Sequence, residues 1–401
     1  MTPWLHKSLA STLAGLALVV TPWVQAQQDN AVPVGVVGPF TGPSSDFGIP
    51  LRQGIELAVD QINAAGGYLG RPIRLVLRDD KGDPDTGLKA SQELVAQGVV
   101  ATIGFCNTGV AQKSLDVFQT ARTPLIIPCA TGTPLTSKFP GPDSYIFRTS
   151  ARDSIQAPFV VDDLVKRGWN RVAIFADTTG YGEAGLKDVE AALQARKLKA
   201  VHVTRFPLGV ADLREELKAA REAGANVVFS YTVGKENAVI ANGRKDLGWK
   251  VPQVGAWPLS FPFFIEGAGD AADGALMAQT FIAEPSNERR AAFLTGFTRK
   301  YGKRMAVPMA AAQGYDAAYL LTYALLGIRD GKVDGPAIKR SLENIQRVYY
   351  GVVATYEHPF SAEDKDAITQ NMLVMGKVQG GAVTFAYPED AKRNLFVQRK
   401  K

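Results

Sequence analysis

Three glycines in the stretch DTTGYGEAG, Gly180, Gly182 and Gly185, have the spacing G-x-G-x-x-G. This spacing is typical of strand-to-helix turns that hold the phosphates of a dinucleotide. With 39 glycines in 401 residues, roughly 0.4 such matches arise by chance in a chain of this length. A dinucleotide unit should also place an acid after the next strand, to hold the ribose. That strand, KAVHVTRF, ends in Thr204 and Arg205, so an NAD(P)-dependent oxidoreductase is a poorly supported alternative that depends on Arg205 meeting an NADP phosphate.

The other residue types that carry chemistry are scarce. The three histidines, His6, His202 and His358, are far apart, and no G-x-S-x-G elbow is present. The chain therefore offers little for a zinc site or a hydrolase, and we expect no catalysis, no metal and no cofactor. Its formal charge of +6 comes from basic residues scattered among acids along helices, which favours solvated helix faces and no nucleic-acid partner.

The N-terminus has the pattern of a secretory signal peptide. His6 and Lys7 precede an apolar run over residues 9–20, which the stretch TPWVQA follows. The run is shorter than the roughly 20 residues of a membrane helix, and we expect cleavage before Gln27, after residues 1–26. No cysteine stands at the cleavage point to take a lipid anchor, so we expect a soluble protein of a bacterial periplasm.

Only two cysteines are present, Cys106 and Cys129. Each follows an apolar run typical of a buried strand, VVATIGF and TPLIIP, and an exported protein meets an oxidising compartment. If the two strands are parallel neighbours, the thiols could meet at the strand ends. Both a disulfide and two separate buried thiols stay open.

The elements that position these residues alternate between strand and helix. VPVGVVGPF, IRLVLRDD, VVATIGF and TPLIIP are predicted strands, and the segments between them have apolar residues at helical spacing. The alternation restarts at NRVAIFAD, KAVHVTRF, NVVFSY and VPQVGAW, after a glycine and proline cluster. The pattern predicts two α/β lobes with parallel sheets and a crossing near residues 144–150.

Ligands of parallel α/β sheets bind beyond the carboxyl ends of the strands. The loops at these ends are GPFTGPSSDFG, GFCNTG, PCATGT, ADTTGYGEAG, SYTVGKEN and GAWPLSFP. Their hydroxyls and backbone amides suit an anionic group, and their aromatic rings suit an apolar one.

Several longer stretches are similar to a known family. The segments VGVVGPFTGPSSDFGIPLRQGIELAVDQINAAGG, PLIIPCATGTPLT, YIFRTSARDS, RVAIFADTTGYGEAG and QGYDAAYLL resemble the leucine/isoleucine/valine-binding family of ABC-transporter solute-binding proteins. The resemblance implies a Venus-flytrap fold in which two lobes, each a mainly parallel sheet flanked by helices, are joined by three crossings. It also implies discontinuous lobes, residues 27–147 with about 283–350 and residues 148–282 with about 351–401.

The resemblance also implies where a ligand carboxylate is held. In the family, a hydroxyl residue after the third strand and a threonine after the fourth bind it, together with backbone amides. The matching positions are Thr108, within one or two residues and hence with Asn107, and Thr131, with Ala130 beside it. An anion at the start of a helix needs no separate counter-charge.

Aromatic residues complete the pocket that the resemblance implies. Phe47 would wall the ligand, Tyr181 would close over it, and Tyr231 would lie nearby. Amino-acid-binding members carry an acid in the last loop, but GAWPLS has Trp257 near that position. The missing acid favours, by a small margin, a ligand without an amino group, such as a benzoate-like acid enclosed by Trp257. In the alternative, Asp177 or Glu236 meets the ammonium of a branched-chain amino acid.

The expected function is therefore capture of a small carboxylate-bearing ligand by hinge closure, followed by delivery to an ABC-transporter permease. We expect a monomer. A ligand sensor that works with a separate membrane receptor is the alternative that keeps the fold.

Overall fold

The computed structural model describes Met1 and residues 30–393. These residues form two large β-sheets with helices on their faces, and a small two-stranded sheet between β11 (Tyr349–Tyr350) and β12 (Thr355–Tyr356). The predicted signal peptide, apart from Met1, lies outside the described residues.

The first sheet has five parallel strands in the order β2-β1-β3-β4-β5. Its strands are β1 (Val32–Gly38), β2 (Ile73–Asp79), β3 (Ala101–Gly104), β4 (Leu125–Ile127) and β5 (Ile146–Arg148). The helices between them are α1 (Ser45–Ala64), α2 (Pro84–Ala96), α3 (Thr108–Thr120) and α4 (Pro134–Ser137). Strands β3, β4 and β5 are buried throughout, as expected of a parallel sheet with both faces covered.

The second sheet has seven strands in the order β14-β13-β10-β9-β8-β6-β7. Strands β6 to β10 are parallel, and β13 and β14 add an antiparallel edge. Its strands are β6 (Val172–Asp177), β7 (His202–Phe206), β8 (Val227–Tyr231), β9 (Gln253–Gly255), β10 (Leu276–Gln279), β13 (Val374–Gln379) and β14 (Ala382–Phe385). Its helices are α5 (Asp153–Lys166), α6 (Gly180–Gln194), α7 (Arg214–Glu222), α8 (Glu236–Asp246) and α9 (Pro262–Ala268). We call each sheet with its helices a lobe.

Turn residues set the ends of the elements. At the start of α2, the Asp83 carboxylate accepts a hydrogen bond from the Thr86 amide at 2.8 Å, and Pro84 occupies the first turn, where no amide partner is needed. At the end of α1, Gly66 and Gly67 have φ angles of 107° and 62°. Both angles are in the region that favours glycine, which allows the chain to turn away from the helix here.

Three later helices pack against the first lobe: α10 (Glu288–Tyr301), α11 (Pro308–Gly327) and α12 (Gly335–Leu342). Helix α11 lies directly on α1, where a Cβ added at Gly54 would be 2.0 Å from the Ala311 carbonyl oxygen. A Cβ at Gly314 would be 2.7 Å from the Leu51 carbonyl oxygen. Glycine at these two positions allows the helix backbones to meet.

The chain passes between the lobes after β5, after β10 and before β13. The boundary placed at residue 147 falls inside β5, so the first crossing comes one strand residue later than expected. The chain after α12 does not leave the first lobe at Gly351, where the resemblance placed the third crossing. Phe360 packs edge-on against Phe147 at 5.1 Å, and Asp366 bridges to Arg148 of β5.

Two expected absences concern the described residues only. Among Met1 and residues 30–393, no helix is long and apolar enough to cross a membrane. The same residues contain no group of three or more His, Cys, Asp or Glu side chains that could hold a metal ion.

Candidate ligand-binding site

A cavity of about 410 Å³ lies between the two lobes. Its walls come from the loops after β1, β2, β3 and β4 on one side and after β6, β7, β8 and β9 on the other. All eight loops follow the carboxyl ends of parallel strands, where ligands of such sheets bind. The cavity is of the size that small-molecule sites usually have.

The start of α3 forms one wall. Thr108, the first residue of the helix, is buried, and its Oγ1 accepts a hydrogen bond from the Gly132 amide at 3.2 Å. Asn107 caps the helix, donates from Nδ2 to Ser44 Oγ at 3.1 Å, and keeps a buried Oδ1 that has no hydrogen-bond partner among the described residues. The loop after β3 is therefore tied to both of its neighbours.

The backbone of Thr131 is fixed from behind. Its carbonyl accepts from Arg148 Nη1 at 2.9 Å and from the Asp153 amide at 3.0 Å. Its Oγ1 is buried without a hydrogen-bond partner in the described part of the chain. Ala130 lies behind the cavity wall, where its amide donates to the Phe105 carbonyl at 3.0 Å. Thr131 thus presents a free hydroxyl on a rigid backbone.

Close packing requires glycine at each of the three positions of the G-x-G-x-x-G stretch. A Cβ at Gly182 would be 2.1 Å from the Asp177 carbonyl oxygen, and one at Gly185 would be 2.0 Å from the Tyr231 ring. A Cβ at Gly180 would be 3.1 Å from Cα of Gly109, which belongs to the other lobe. The spacing therefore serves close contact within the second lobe and between the lobes.

Two helices begin on opposite walls of the cavity. Gly109 lies in the first turn of α3, and Gly180 opens α6. Thr179 caps α6 by accepting from the Tyr181 amide at 3.2 Å. Because helix N-termini carry partial positive charge, the two ends together give this part of the cavity a positive potential. Lys81 lies on the same cavity wall and adds a full positive charge.

A buried acid, Asp153, lies behind Thr131. Its Oδ1 accepts from Gln156 Nε2 at 3.1 Å, whereas Oδ2 has no hydrogen-bond partner among the described residues. Burial raises the pKa of Asp153 to about 7, although the nearby hydroxyls of Tyr231 and Thr131 favour the ionised form. The hydroxyls of Tyr181 and Tyr231 are buried and equally unpartnered in the described chain.

The two tyrosines pack on each other, with ring centroids 4.9 Å apart. Burial and the Asp153 charge raise the pKa of both phenols well above the usual value, so both remain neutral donors. Tyr181 lies on the cavity wall, and Tyr231 lies behind it. Thr131 and Tyr181 on the cavity wall, with Asp153 and Tyr231 buried beside them, thus gather four polar side chains at one side of the cavity.

The two acids proposed to meet an ammonium differ from Asp153. Asp177 Oδ1 accepts from the Thr179 amide at 2.9 Å, and Oδ2 accepts from the Val233 amide at 2.8 Å. The carboxylate is therefore used in holding the loops after β6 and β8. Glu236 Oε1 accepts from the Gly209 amide at 2.6 Å, which directs this side chain toward the loop after β7.

The aromatic residues form a separate group. Trp257 is on the cavity wall and packs edge-on against Phe261 at 4.7 Å. Phe47, from the first lobe, is behind the wall, 5.0 Å from Phe261 and 6.4 Å from Trp257. Phe47 therefore joins the lobes, and its predicted ligand contact would have to pass through Trp257.

Both cysteines are buried and are free thiols in this structure. Cys106 lies on the cavity wall, and Cys129 does not. Burial raises the pKa of the Cys106 thiol well above its usual value, and the adjacent Cys129 thiol adds to the rise. The two side chains therefore meet, as the prediction of neighbouring strands requires.

The comparison with known families agrees with this geometry. The sequence matches the family model described as periplasmic binding protein over residues 31–382. This chain belongs to the periplasmic binding protein family. The predicted resemblance and the two-lobed α/β fold are confirmed.

Three similar proteins illustrate the relationship. The Leu/Ile/Val-binding protein homolog 3 of Brucella melitensis is 32% identical over 66% of this chain and 71% of its own length. A type 1 periplasmic binding protein from Bordetella pertussis has a TM-score of 0.80 at 24% identity, covering 88% of this chain and 99% of that one. An ABC-transporter solute-binding protein from R. palustris in complex with benzoate has a TM-score of 0.76 at 20% identity, covering 89% and 95%.

Sequence reasoning missed three residues of this periplasmic binding protein site. Lys81 is in a polar turn without a motif, and Arg148 and Asp153 are in the segment YIFRTSARDS, which served only to support the resemblance. The signal for Asp153 was an acid directly after the first crossing, where the chain enters the second lobe. A crossing passes beside the cleft, so acids within it are site candidates.

Proposed function

We propose that this periplasmic binding protein captures a small aliphatic amino acid of the leucine, isoleucine or valine type between its lobes. The observation that carries the proposal is the buried Asp153 carboxyl, grouped with the hydroxyls of Thr131, Tyr181 and Tyr231, whose Oδ2 has no cationic hydrogen-bond partner among the described residues. Buried polar atoms normally have partners. Here a ligand with an amino group would supply them.

The carboxylate of the amino acid would lie in the cavity beside the starts of α3 and α6. Thr108 and the backbone amides at these helix starts could donate hydrogen bonds to the carboxylate. Lys81 adds a positive charge on the cavity wall. Hydrogen bonds to an ionised acceptor are the stronger ones. This arrangement supports any small acid as the ligand and does not depend on an amino group.

The amino group of the ligand would lie at the other side of the cavity, toward Asp153. The preference for a ligand without an amino group assumed that no carboxyl was available near Trp257. Asp153 supports the opposite choice, because a buried carboxylate beside neutral phenols has no cationic partner until an ammonium group arrives. Arg148 is near but is engaged with Asp366 at 2.5 Å.

The hydrocarbon part would meet Trp257, Pro258, Leu208 and Val233, which line the cavity from the second lobe. These side chains offer no charge, so they would select apolar ligand bodies. The name of the Brucella melitensis relative refers to ligands of this kind.

An aromatic acid is the second candidate. It is supported by the Trp257, Phe261 and Phe47 cluster and by the benzoate complex of the R. palustris protein. With a pKa of about 7, protonated Asp153 could donate a hydrogen bond to a phenol or carboxylate instead of pairing with an ammonium.

Hinge closure would complete the site. Contacts between the lobes include Thr133 Oγ1 donating to Asp188 Oδ2 at 2.6 Å, and such contacts form only when the lobes meet. We further propose that the exported monomer delivers its ligand to an ABC-transporter permease, with a receptor-linked sensor as the alternative. Binding, not catalysis, is the proposed role, since the glycines of the dinucleotide-like stretch serve packing.

The test is a thermal-shift panel on protein that has been unfolded and refolded free of ligand. Leucine, isoleucine and valine are compared with their 2-keto acids and with benzoate and 4-hydroxybenzoate. The amino acids are expected to raise the melting temperature and the keto acids to have little effect. Stabilisation by the benzoates with none from the amino acids would replace the first candidate by the second.

A further inference from the structure

The two cysteines occupy equivalent places on neighbouring strands. Thr102 pairs with Leu125 and Ile103 with Ile126 in the parallel register of β3 and β4. Cys106 stands two residues after the end of β3, and Cys129 stands two residues after the end of β4. The Ala130 amide donates to the Phe105 carbonyl at 3.0 Å, so backbone pairing continues past the strand ends.

This placement suits a disulfide. Neighbouring parallel strands are about 4.8 Å apart, which is within the 4.4–6.8 Å range of Cα separations in disulfides. Both side chains belong to the same buried apolar cluster, and the Cys129 thiol is a neighbour of the Cys106 thiol.

Each cysteine also stands directly before a residue pair of the candidate site. Cys106 precedes Asn107 and Thr108, and Cys129 precedes Ala130 and Thr131. A bond between the sulfurs would therefore set the spacing of the two hydroxyl-bearing loops. The existing bond from the Gly132 amide to Thr108 Oγ1 is a single hydrogen bond.

We propose that Cys106 and Cys129 are oxidised to a disulfide that braces the two ligand loops. The reaction removes two protons and two electrons from the thiols, and an external disulfide such as oxidised glutathione accepts them and becomes two thiols. The Cys106 thiolate, on the cavity wall, attacks the external disulfide and releases the first thiol. The Cys129 thiolate then displaces the second thiol and closes the bond.

The first readout is the number of free thiols, which does not depend on any ligand. The purified protein is equilibrated with oxidised glutathione, freed of it, and unfolded in the presence of a maleimide. Uptake of no maleimide is expected, against two after treatment with dithiothreitol. Uptake of two maleimides after oxidation, or a lasting glutathione adduct on Cys106, would overturn the proposal even if ligand binding is normal.

The second readout is the effect of the brace. Reduction is expected to lower the melting temperature by roughly 5–10 °C, because the bond closes a loop in the unfolded chain. The double variant Cys106→Ala, Cys129→Ala should show the same melting temperature with and without dithiothreitol, which controls for the reductant.

The effect on affinity rests on the proposed function. Reduction should weaken binding of the ligand identified in the thermal-shift panel by about threefold or more, since loosened loops must be ordered on binding. An unchanged dissociation constant in a protein whose thiols are shown to be oxidised would leave the disulfide standing and overturn its role as a brace. If no tested compound binds, the proposed function fails, while the thiol count still decides the disulfide.

Discussion

Affinity for an amino acid should rise with pH through neutrality, because Asp153 must be ionised to pair with an ammonium group. The carboxyl has a pKa of about 7 in the ligand-free protein, where its ordinary value is 3.8. About one molecule in a hundred carries the charge at pH 5, and most carry it at pH 8. The dissociation constant of leucine should therefore be roughly 100-fold larger at pH 5 than at pH 8.

The charged and titratable groups around Asp153 should not mask the pH dependence of ligand affinity. Tyr181 and Tyr231 stay neutral because burial raises their pKa values, and Arg148 is paired with Asp366. Asp188 is a neighbouring carboxyl whose pKa is also raised, chiefly by burial. Its hydrogen bond from Thr133 joins the lobes, so its titration would act on closure and adds a smaller change of the same direction.

The same pKa sets the stability of the ligand-free protein. Between about pH 4 and pH 7 the folded state binds a proton at Asp153 that the unfolded state has released. Stability is therefore lost as pH rises across this window, by at most about 4 kcal/mol. Asp153→Asn keeps the acceptor for Gln156 and removes the ionisation. It should make the ligand-free protein more stable than the wild type at pH 8.

Titration calorimetry with leucine at pH 5, 6, 7 and 8, in buffers with different ionisation enthalpies, measures both affinity and proton release. Near pH 7 about half a proton should leave per ligand bound. Asp153→Asn should bind at least roughly 30-fold more weakly at pH 8, the effect of removing one member of a buried charge pair. The exposed Asp116→Asn is the matched control and should behave as the wild type.

Equal affinity of the wild type for leucine at pH 5 and pH 8 would refute this reasoning. So would full affinity of Asp153→Asn. An aromatic acid should show the opposite slope, with affinity that rises as the pH falls, because it needs the protonated carboxyl. The sign of the pH dependence therefore separates the two candidate ligands.

Three further substitutions test the rest of the site. Thr131→Val should weaken ligand binding at least about tenfold, because the lost hydroxyl lies on the cavity wall beside the Asp153 carboxyl; equal affinity would remove Thr131 from the site. Gly185→Ala should lower the melting temperature, since its Cβ would be 2.0 Å from the Tyr231 ring, and calorimetry would show an unchanged transition if this contact were unimportant. Asp366→Asn should cost about 3–5 kcal/mol in chemical denaturation by leaving Arg148 buried without a counter-charge, and a loss below 1 kcal/mol would contradict that role.

Much of the fold could be predicted because each long parallel strand is followed in the sequence by a helix. Strands such as β1 and β6 are apolar runs bounded by turn residues, and this pattern survives without tertiary information. Strand β5 was missed because it has only three residues and follows a glycine and proline cluster in place of a long helix. One of its partners, the bridge between Arg148 and Asp366, joins residues that are 218 positions apart in the sequence.

The candidate site also has residues that sequence order places correctly and one that it does not. Thr108, Thr131, Tyr181 and Trp257 follow strands, so sequence order alone puts them at one edge, and all four lie on the cavity wall; their ligand contacts stay predictions. Asp153 belongs to a helix after the crossing. It reaches Thr131 only because the chain reverses between the lobes, which local patterns cannot reveal.

The two helix N-termini suggest why the ligand should drive closure. Gly109 of α3 and Gly180 of α6 approach so closely that a Cβ on one would be 3.1 Å from Cα of the other. Each terminus carries a partial positive charge of about half a unit, so bringing them together in an empty cleft is unfavourable. A carboxylate beside both helix starts would reverse that sign, and it would interact with both lobes only when they meet. Because a ligand shifts a conformational equilibrium only by its difference in affinity for the two states, an acid group at this place favours the closed form, whereas a neutral amide of the same ligand would give up this contribution.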